Sequence, residues 1–252
     1  MFLQWGGFMK LTLTEPKYLR ESISIISELV NEASFRITQD YIELIAMDPG
    51  SAALVIFKLL SSAFTEYKVD KEETVGLNLN SLKQVLRRAK PSDLLTLEVE
   101  EDKFNITLEG RTKRRFSLPI IDLDEGEQKI PQLTFTATIT TQSDLLNEAI
   151  EDASIVSDVV MFVAEKDKFT IIAKGDLNNA SVELRNDEKT KIETQESMVK
   201  ARYSIEYLKK MITGSKISDT VEIEFKTDYP LKLTYTELNK ISLSFILAPR
   251  GD

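Results

Sequence analysis

The side chains that could do chemistry in this 252-residue sequence are carboxylates, lysine, tyrosine and serine, because histidine and cysteine are absent. Two carboxylate clusters, Glu98–Asp102 and Asp122–Glu127, could bind a hard cation, but neither has EF-hand spacing, and we interpret both as solvated turns. The missing residue types exclude Ser-His-Asp and Cys-His triads, imidazole or thiolate metal sites and disulfides. An enzyme that uses two carboxylates, for example a glycosidase, is one alternative, but nothing in the sequence singles out a suitable pair. We therefore predict no catalytic residue, no metal and no cofactor.

Basic side chains gather on particular predicted helices of an acidic chain. There are 32 Lys and Arg against 41 Asp and Glu, a net charge of -9, which opposes simple adhesion to DNA or anionic lipid. No apolar run reaches the roughly 18 residues of a membrane span, and no glycine-rich nucleotide signature is present. Lys83 and Arg87 are four apart and share a helix face, with Arg88 and Lys90 close by. These cations either solvate the helix or contact phosphates.

A plan of one short strand, one helix and several further strands occurs four times, with helix starts about 62 residues apart. The four strand–helix pairs are Lys10–Thr14 with Pro16–Asn31, Val75–Leu79 with Ser81–Lys90, Phe135–Thr140 with Ser143–Ser154, and Val199–Tyr203 with Ile205–Gly214. Gly214 is predicted to end the fourth helix. Alternating runs predict hairpins over Leu95–Glu109 and Val160–Lys174, with Phe35–Leu44 and Val221–Tyr235 at the same place in the other repeats.

The repeats predict an α+β chain of two similar domains, each of two strand–helix–strands repeats with helices on one face of antiparallel sheets. We expect domains at residues 9–121 and 133–250. An acidic connecting loop at 122–132, containing Gly126 and Pro131, would join them. The first eight residues lack the features of a signal peptide. We expect either that Met9 is the natural start or that Phe2 and Trp5 form a docking tail.

Six short segments resemble one family in their order and spacing. They are LVNEASFRIT at Leu29–Thr38, AMDP at Ala46–Pro49, VGLNLNSLKQVLRRAK at Val75–Lys90, ASIVSD at Ala153–Asp158, YPLKL at Tyr229–Leu233 and LAPR at Leu247–Arg250. Together they resemble DNA sliding clamps of the proliferating cell nuclear antigen type, most like archaeal members, from about Met9 to Arg250. The resemblance implies a non-catalytic processivity factor, a closed ring of three identical subunits whose helices line a hole around double-stranded DNA.

The resemblance also implies partners and a location. Such a ring tethers the replicative DNA polymerase, flap endonuclease and DNA ligase, and a clamp loader places it on DNA. It does not bind membranes. It would act at the nucleoid in the cytoplasm of an archaeal cell, or in the nucleus of a eukaryotic one. A subunit of a heteromeric clamp, for replication or damage signalling, is the alternative.

Carried over by residue, the resemblance places the hole-lining cations at Arg20 and Arg87, with neighbours that could serve at Lys17, Lys83, Arg88, Lys90, Lys209, Lys210 and Lys216. The sequence departs from the family where Glu148, Glu151 and Glu206 replace expected basic residues. DNA contact is then polarised onto the second helix, or the subunit shares a ring with more basic subunits.

The resemblance implies two protein-binding surfaces as well. A pocket for a peptide with a glutamine plug and a hydrophobic 3₁₀ turn is expected at Met47, Asp48, Pro49, Gly50, Ser51, Ala52, Leu54, Ile130, Pro131, Pro230, Ala248, Pro249 and Arg250. Gln128 lies at a position where the family commonly has an apolar residue. For Leu54 and Ile130, the alternative to peptide binding is packing in the core. Edge-to-edge strand pairing between subunits is expected at Arg111, Lys113, Arg114, Arg115 and Phe116 of one subunit, and at Gly175, Asp176, Ala180, Val182 and Leu184 of the next. Arg111, Lys113, Arg114 and Arg115 could then face acidic residues of the neighbouring subunit, namely Asp176, Glu183 or Asp187.

Overall fold

The computed structural model describes residues 8–123 and 128–251 of the chain. It divides into two compact units. The first takes in residues up to 47, 55–129 and 237–242, and the second takes in 48–54, 130–236 and 243 onwards. The suggested tail residues Phe2 and Trp5 and the loop residues 124–127 lie outside the described residues.

The first unit holds two helices and most of the first nine strands. Its elements are β1 (Met9–Leu13), α1 (Lys17–Ile26), β2 (Glu32–Ile37), β3 (Tyr41–Met47), β4 (Ala53–Leu60), a 3₁₀ helix (Ser61–Ala63), β5 (Glu66–Val69), β6 (Glu73–Asn78), α2 (Leu79–Leu86), β7 (Leu94–Glu100), β8 (Lys103–Glu109) and β9 (Lys113–Pro119). An antiparallel sheet has the order β5-β1-β7-β8-β9, so β9 lies at an edge. Strand β2 pairs antiparallel with β3 and β6.

The second unit repeats the plan. Its elements are β10 (Ala137–Gln142), α3 (Ser143–Ser154), β11 (Val159–Glu165), β12 (Lys168–Lys174), β13 (Asn179–Arg185), β14 (Lys191–Thr194), β15 (Met198–Ser204), α4 (Ile205–Met211), a 3₁₀ helix (Ile212–Lys216), β16 (Thr220–Phe225), β17 (Leu231–Glu237) and β18 (Ile241–Leu247). An antiparallel sheet has the order β13-β12-β11-β15, with β13 at an edge. Strand β10 pairs with β14 and β16, and β16 pairs with β17.

The predicted fold class is confirmed. Strands β1, β6, β10 and β15 each lead into a helix, and all four predicted hairpins form. Each helix buries one apolar face: Ile23 and Ile26 of α1, Leu82 and Leu86 of α2 are all at most 2% exposed. Burial of one such side chain contributes roughly 1.5–3 kcal/mol, so the apolar spacing fixes which way each helix faces.

Three helices end earlier than predicted. Helix α2 runs from Leu79 to Leu86 rather than from Ser81 to Lys90, because Arg88 and Ala89 donate to carbonyls three residues back. Helix α1 ends at Ile26 rather than Asn31, because Glu28 and Leu29 donate to carbonyls three residues back instead of four. Helix α4 ends at Met211 and continues as a 3₁₀ helix through Gly214. Gly214 does not stop the helix through a left-handed backbone, since none of the described glycines has a positive φ. A Cβ there would lie 2.4 Å from the Tyr235 ring, so this glycine permits close packing.

Two classes of site find no support in the described ranges. None of the helices there is long and apolar enough to cross a membrane. Within the same ranges, no group of three or more acidic side chains is arranged to hold a metal ion.

Candidate nucleic-acid and partner interfaces

Helices α1 and α2 each carry a basic residue that is already ion-paired. Arg20 Nη2 lies 2.9 Å from Glu21 Oε1, and Lys83 Nζ lies 2.5 Å from Glu28 Oε1. A cation held by a carboxylate has less charge to offer a phosphate. Both residues are in the predicted DNA-binding set, but a carboxylate of the same subunit neutralises much of the positive charge of each. Lys17 is exposed and makes no ion pair with another described residue.

Three unpaired cations of the first unit lie together just after the C-terminal end of α2. Arg87, Arg88 and Lys90 are exposed, and none forms an ion pair with a residue that the structure describes. Cations are favoured at this end of a helix by the partial negative charge of the terminal carbonyls. The geometry therefore brings three of the nine predicted DNA-binding residues together as one basic turn, residues 87–90.

A buried carboxylate holds this basic turn in place. Asp93, 3% exposed, accepts a hydrogen bond from the Lys90 amide at 3.0 Å. The Arg114 guanidinium, from edge strand β9, donates to Asp93 Oδ2 and to the Arg88 carbonyl, at 2.5 and 3.0 Å. Gly110 is needed beside this carboxylate, since a Cβ would lie 2.4 Å from Asp93 Oδ1. Sequence reasoning missed Asp93, because its partner lies 21 residues away.

Two of the three acidic residues noted in the sequence, Glu151 and Glu206, are ion-pair partners of predicted cations in the second unit. Lys209 Nζ lies 2.9 Å from Glu151 Oε2, and Lys210 Nζ lies 3.3 Å from Glu206 Oε1. Glu148 is exposed and has no ion-pair partner among the described residues. Lys216, exposed in the 3₁₀ helix, likewise has no carboxylate within ion-pair distance in the described ranges. The described helices of this unit thus present less free positive charge than the basic turn, residues 87–90.

The predicted peptide-binding residues 48–52, together with Ala53, form a loop around the Asp48 carboxylate, and we call residues 48–53 the Asp48 loop. Asp48 Oδ1 accepts from the amides of Ala52 and Ala53 at 2.7 and 2.6 Å. Its Oδ2 accepts from the Gly50 amide at 2.9 Å and from the Tyr207 hydroxyl at 2.7 Å. Burial opposes the charge, yet these hydrogen bonds outweigh it and the pKa of Asp48 lies below its ordinary value.

Tyr207, on α4, is the hydrogen-bond partner of this loop that sequence reasoning missed. The hydrogen bond to Asp48, with smaller contributions from burial and nearby carboxylates, raises the pKa of Tyr207 to about 12. Its hydroxyl therefore stays protonated as a donor at neutral pH. An aspartate before Pro-Gly does signal a side-chain-to-backbone turn, but nothing in the sequence indicates which tyrosine joins it.

The other residues of the predicted peptide site differ in what they expose. The Ala52 carbonyl accepts from the Ala248 amide at 2.8 Å, so these two predicted segments are neighbours. Ile130 is 47% exposed and Met47 is 38% exposed, which is unusual for apolar side chains of this size. Leu54 is 3% exposed and packs in the core, so it offers almost no surface to a peptide. Pro131, Ala248 and Arg250 are exposed, whereas Pro230 and Pro249 are half-buried.

The two predicted subunit surfaces lie at sheet edges. On β9, Arg114 and Phe116 are less exposed than their neighbours Lys113 and Arg115, and Phe116 stands opposite Ile106 in the register. On β13, half-buried Ala180 and Val182 and buried Leu184 alternate with exposed residues in the same way. Gly175 and Asp176 belong to the turn that precedes β13, where the Gly175 amide donates to the Asn178 carbonyl.

Two arginines on this edge already have ionic partners within their own chain. Arg114 is engaged within its own subunit by Asp93, and Arg115 Nη2 lies 2.6 Å from Glu100 Oε2. Lys113 also has a partner in its own chain, Glu109, at 3.4 Å. The reason is geometric, since the β8–β9 and β7–β8 pairings bring these carboxylates alongside. Arg111 is exposed and has no ion-pair partner among the described residues.

Comparison with known proteins covers almost the whole chain. Residues 8–127 match the family model of the proliferating cell nuclear antigen N-terminal domain, and residues 129–250 match that of its C-terminal domain. A DNA polymerase sliding clamp from Thermococcus gammatolerans is 37% identical over 236 residues, and one from Pyrococcus abyssi is 38% identical over 237. Each of these alignments covers 93% of this chain and 95% of the relative.

A solved structure agrees with the sequence relatives. The proliferating cell nuclear antigen of Thermococcus kodakaraensis superposes with a TM-score of 0.91 at 28% identity, covering 96% of this chain and all of that one. The match over both domains agrees with the fold described above, which has four strand–helix repeats and two edge strands. The chain belongs to the proliferating cell nuclear antigen family.

Proposed function

We propose that this chain is a DNA polymerase sliding clamp, a non-catalytic processivity factor that encircles duplex DNA as a homotrimer. The observation that carries the proposal is the match over 93% of the chain to relatives named DNA polymerase sliding clamp. Retention of a closed ring depends on topology, so the protein needs no tight contact with bases. Weak phosphate contacts from exposed cations suffice, and they carry no sequence information.

The edges of the two described sheets support ring closure. Unpaired strand edges are a liability that native proteins cover or pair. If β9 of one subunit pairs with β13 of the next, the less exposed face of Phe116 continues into that of Val182 and Leu184. Head-to-tail contacts of this kind generate closed rings when the rotation closes. The contact would rest on backbone pairing and apolar packing rather than on Arg114.

The partner proposals rest on the Asp48 loop, Ile130 and the Ala248–Arg250 segment. Exposed apolar anchors beside a fixed loop are suited to a peptide with a hydrophobic turn. We propose the replicative polymerase as the principal partner, with flap endonuclease, DNA ligase and the clamp loader using the same surface. For an archaeal protein, the place of action would be the nucleoid in the cytoplasm.

Two measurements test this function. Light scattering across a dilution series is expected to give about 86 kDa, three times the 28.6 kDa of one chain. Primer extension by an archaeal replicative polymerase on primed circular DNA is expected to give longer products when the clamp and its loader are added. A matched variant, Val182→Lys on β13, should remove both the trimer and the stimulation.

The unpaired Glu148 on α3 favours one alternative, a subunit of a heteromeric clamp. A stable monomer or dimer in light scattering, together with trimer formation only after mixing with related subunits of the same cell, would establish that alternative. Absence of stimulation by a trimer of correct mass would refute the processivity function itself.

A further inference from the structure

We propose that Tyr207 is a positioning residue for partner binding, whose hydroxyl fixes the Asp48 loop and ties it to helix α4. This inference rests on the proposed function, since it assumes that the loop receives a partner peptide. Tyr207 itself lies outside the set of residues expected to touch the peptide, so its effect would pass through the loop.

The first support is the saturation of the Asp48 carboxylate. Asp48 is 5% exposed, and a buried charge is costly unless its oxygens accept hydrogen bonds. Oδ1 has two amide donors, whereas Oδ2 has the Gly50 amide and the Tyr207 hydroxyl. The hydroxyl is the donor that comes from outside the loop. Without it, Oδ2 keeps a single donor, and the loop loses its connection to the helix.

The second support is the strained backbone of the loop. Ser51 has a φ of 55°, in the left-handed region of the backbone that residues other than glycine rarely adopt. A backbone conformation of this kind persists when its surroundings over-determine it. Next to it, a Cβ at Gly50 would lie 2.9 Å from both Asp48 Oδ2 and Tyr207 Oη. The tyrosine hydroxyl is therefore packed against the loop backbone as well as bonded to the carboxylate.

The third support is what lies on either side of the bond. Lys210 Nζ lies 5.4 Å from the centroid of the Tyr207 ring, so the tyrosine stands between a predicted DNA-binding cation and the Asp48 loop. On the other side, the Ala52 carbonyl accepts from the Ala248 amide. The Tyr207 side chain thus bonds to a loop that is itself hydrogen-bonded to the Ala248 segment.

The expected consequence is a loss of preorganisation. A loop that is already ordered lowers the entropy lost when a peptide binds. Hydrogen bonds to a charged acceptor are among the stronger ones in proteins. We expect Tyr207→Phe to weaken peptide binding about tenfold, the change in Kd that corresponds to about 1.4 kcal/mol. The affinity of the ring for duplex DNA should stay within twofold of wild type.

The test uses the assembled full-length ring and a fluorescein-labelled synthetic peptide with a glutamine followed by a hydrophobic 3₁₀ turn. Anisotropy gives the Kd for wild type, Tyr207→Phe and a matched control, Tyr18→Phe on α1. The control removes the hydroxyl of a helix tyrosine outside the Asp48 loop and should bind the peptide as wild type does. A loss of less than twofold in Tyr207→Phe, or an equal loss in the control, would overturn the proposal.

Amide hydrogen exchange supplies a readout that needs no peptide. In Tyr207→Phe, the Gly50, Ala52 and Ala53 amides should exchange faster, with the strand amides of β11 and β12 unchanged. Unchanged loop protection would overturn the proposal. If wild type itself bound no peptide, the partner site would be refuted, and the exchange result would still decide whether Tyr207 orders the loop. If Tyr207→Phe failed to assemble, a second variant, Gly50→Ala, would take its place, because its added methyl group presses on Asp48 Oδ2 and Tyr207 Oη. Gly50→Ala should lose peptide affinity, and wild-type affinity in this variant would overturn the proposal.

Discussion

The ion pairs on α3 and α4 predict a variant that holds DNA more tightly than the natural sequence does. In the double variant Glu151→Gln, Glu206→Gln, the carboxylates that pair with Lys209 and Lys210 become neutral amides of the same shape. Both lysines then become available to phosphates. We expect the affinity of the ring for duplex DNA to rise and to depend more steeply on salt.

The magnitude follows from the number of cations released. Each additional phosphate contact adds about 0.9 to the slope of log K against log salt concentration, so two lysines add up to about 1.8 for the subunit that faces the duplex. Over a fourfold change in salt, from about 50 to 200 mM, a slope increase of this size changes the ratio of variant to wild-type affinity about 12-fold. The converse variant, Arg87→Ala with Arg88→Ala, should reduce the slope by a similar amount, because both cations are unpaired in the described structure.

The assay is fluorescence anisotropy on a short linear duplex, whose open ends admit a closed ring without a loader. A control for net charge is Glu188→Gln with Glu196→Gln. This control makes the same change of two charges at exposed carboxylates on strand connections, where the structure describes no ion pair for either. An unchanged slope in the Glu151 and Glu206 variant would refute the idea that local pairing masks the lysines. An equal rise in the control would assign the effect to net charge alone.

Two further predictions concern stability. Arg114→Ala leaves the buried Asp93 carboxylate without its ion partner and should lower the free energy of unfolding by about 2 kcal/mol, a value discounted from fully buried pairs because Arg114 is partly exposed. Arg115→Ala, whose ionic partner is exposed, should lower the free energy of unfolding by less than about 1 kcal/mol. Urea denaturation at one protein concentration compares the two variants. Equal losses of stability would contradict the buried role of Asp93. Because the folded pKa of Asp48 is lowered, its charge stabilises the protein above the unfolded value of about 3.9, and this is lost as pH falls through the folded pKa. The difference in melting temperature between wild type and Asp48→Asn should therefore shrink from pH 7 to pH 3, and a constant difference would exclude this explanation.

The parts of the fold that could be predicted from sequence are those set by local patterns. Helix α3 begins and ends at the predicted residues, Ser143 and Ser154, because apolar side chains recur on one face of a continuous run. The hairpin of β7 and β8 was predictable because alternation on both sides of a short charged turn specifies register. Helix α4 was predicted too long, since the role of Gly214 depends on Tyr235, which approaches from 21 positions further along the chain.

The charges could not be predicted in the same way, because their partners are distant in sequence. The sequence alone counts Lys83 as a free cation, and its neutralisation by Glu28 depends on α1 packing beside α2. Lys209 and Glu151 are likewise on different helices. Basic residues on one helix face suggest a phosphate-binding surface, but the net field depends on which carboxylates the tertiary structure places against them.

This arrangement separates two properties that a sliding ring must combine. A closed ring stays on DNA for as long as its subunit contacts hold, so retention on a circular template should depend on β9 and β13 and hardly on the helices. Movement along the duplex depends instead on how strongly phosphates are held, which the pairing of Lys209 and Lys210 weakens. Neutralising Glu151 and Glu206 should therefore slow diffusion along DNA and leave retention on a circle unchanged, whereas Val182→Lys should abolish retention without changing the charge on any helix. If Val182→Lys left retention unchanged while the Glu151 and Glu206 variant altered it, the hold on DNA would come from phosphate contacts rather than from ring closure.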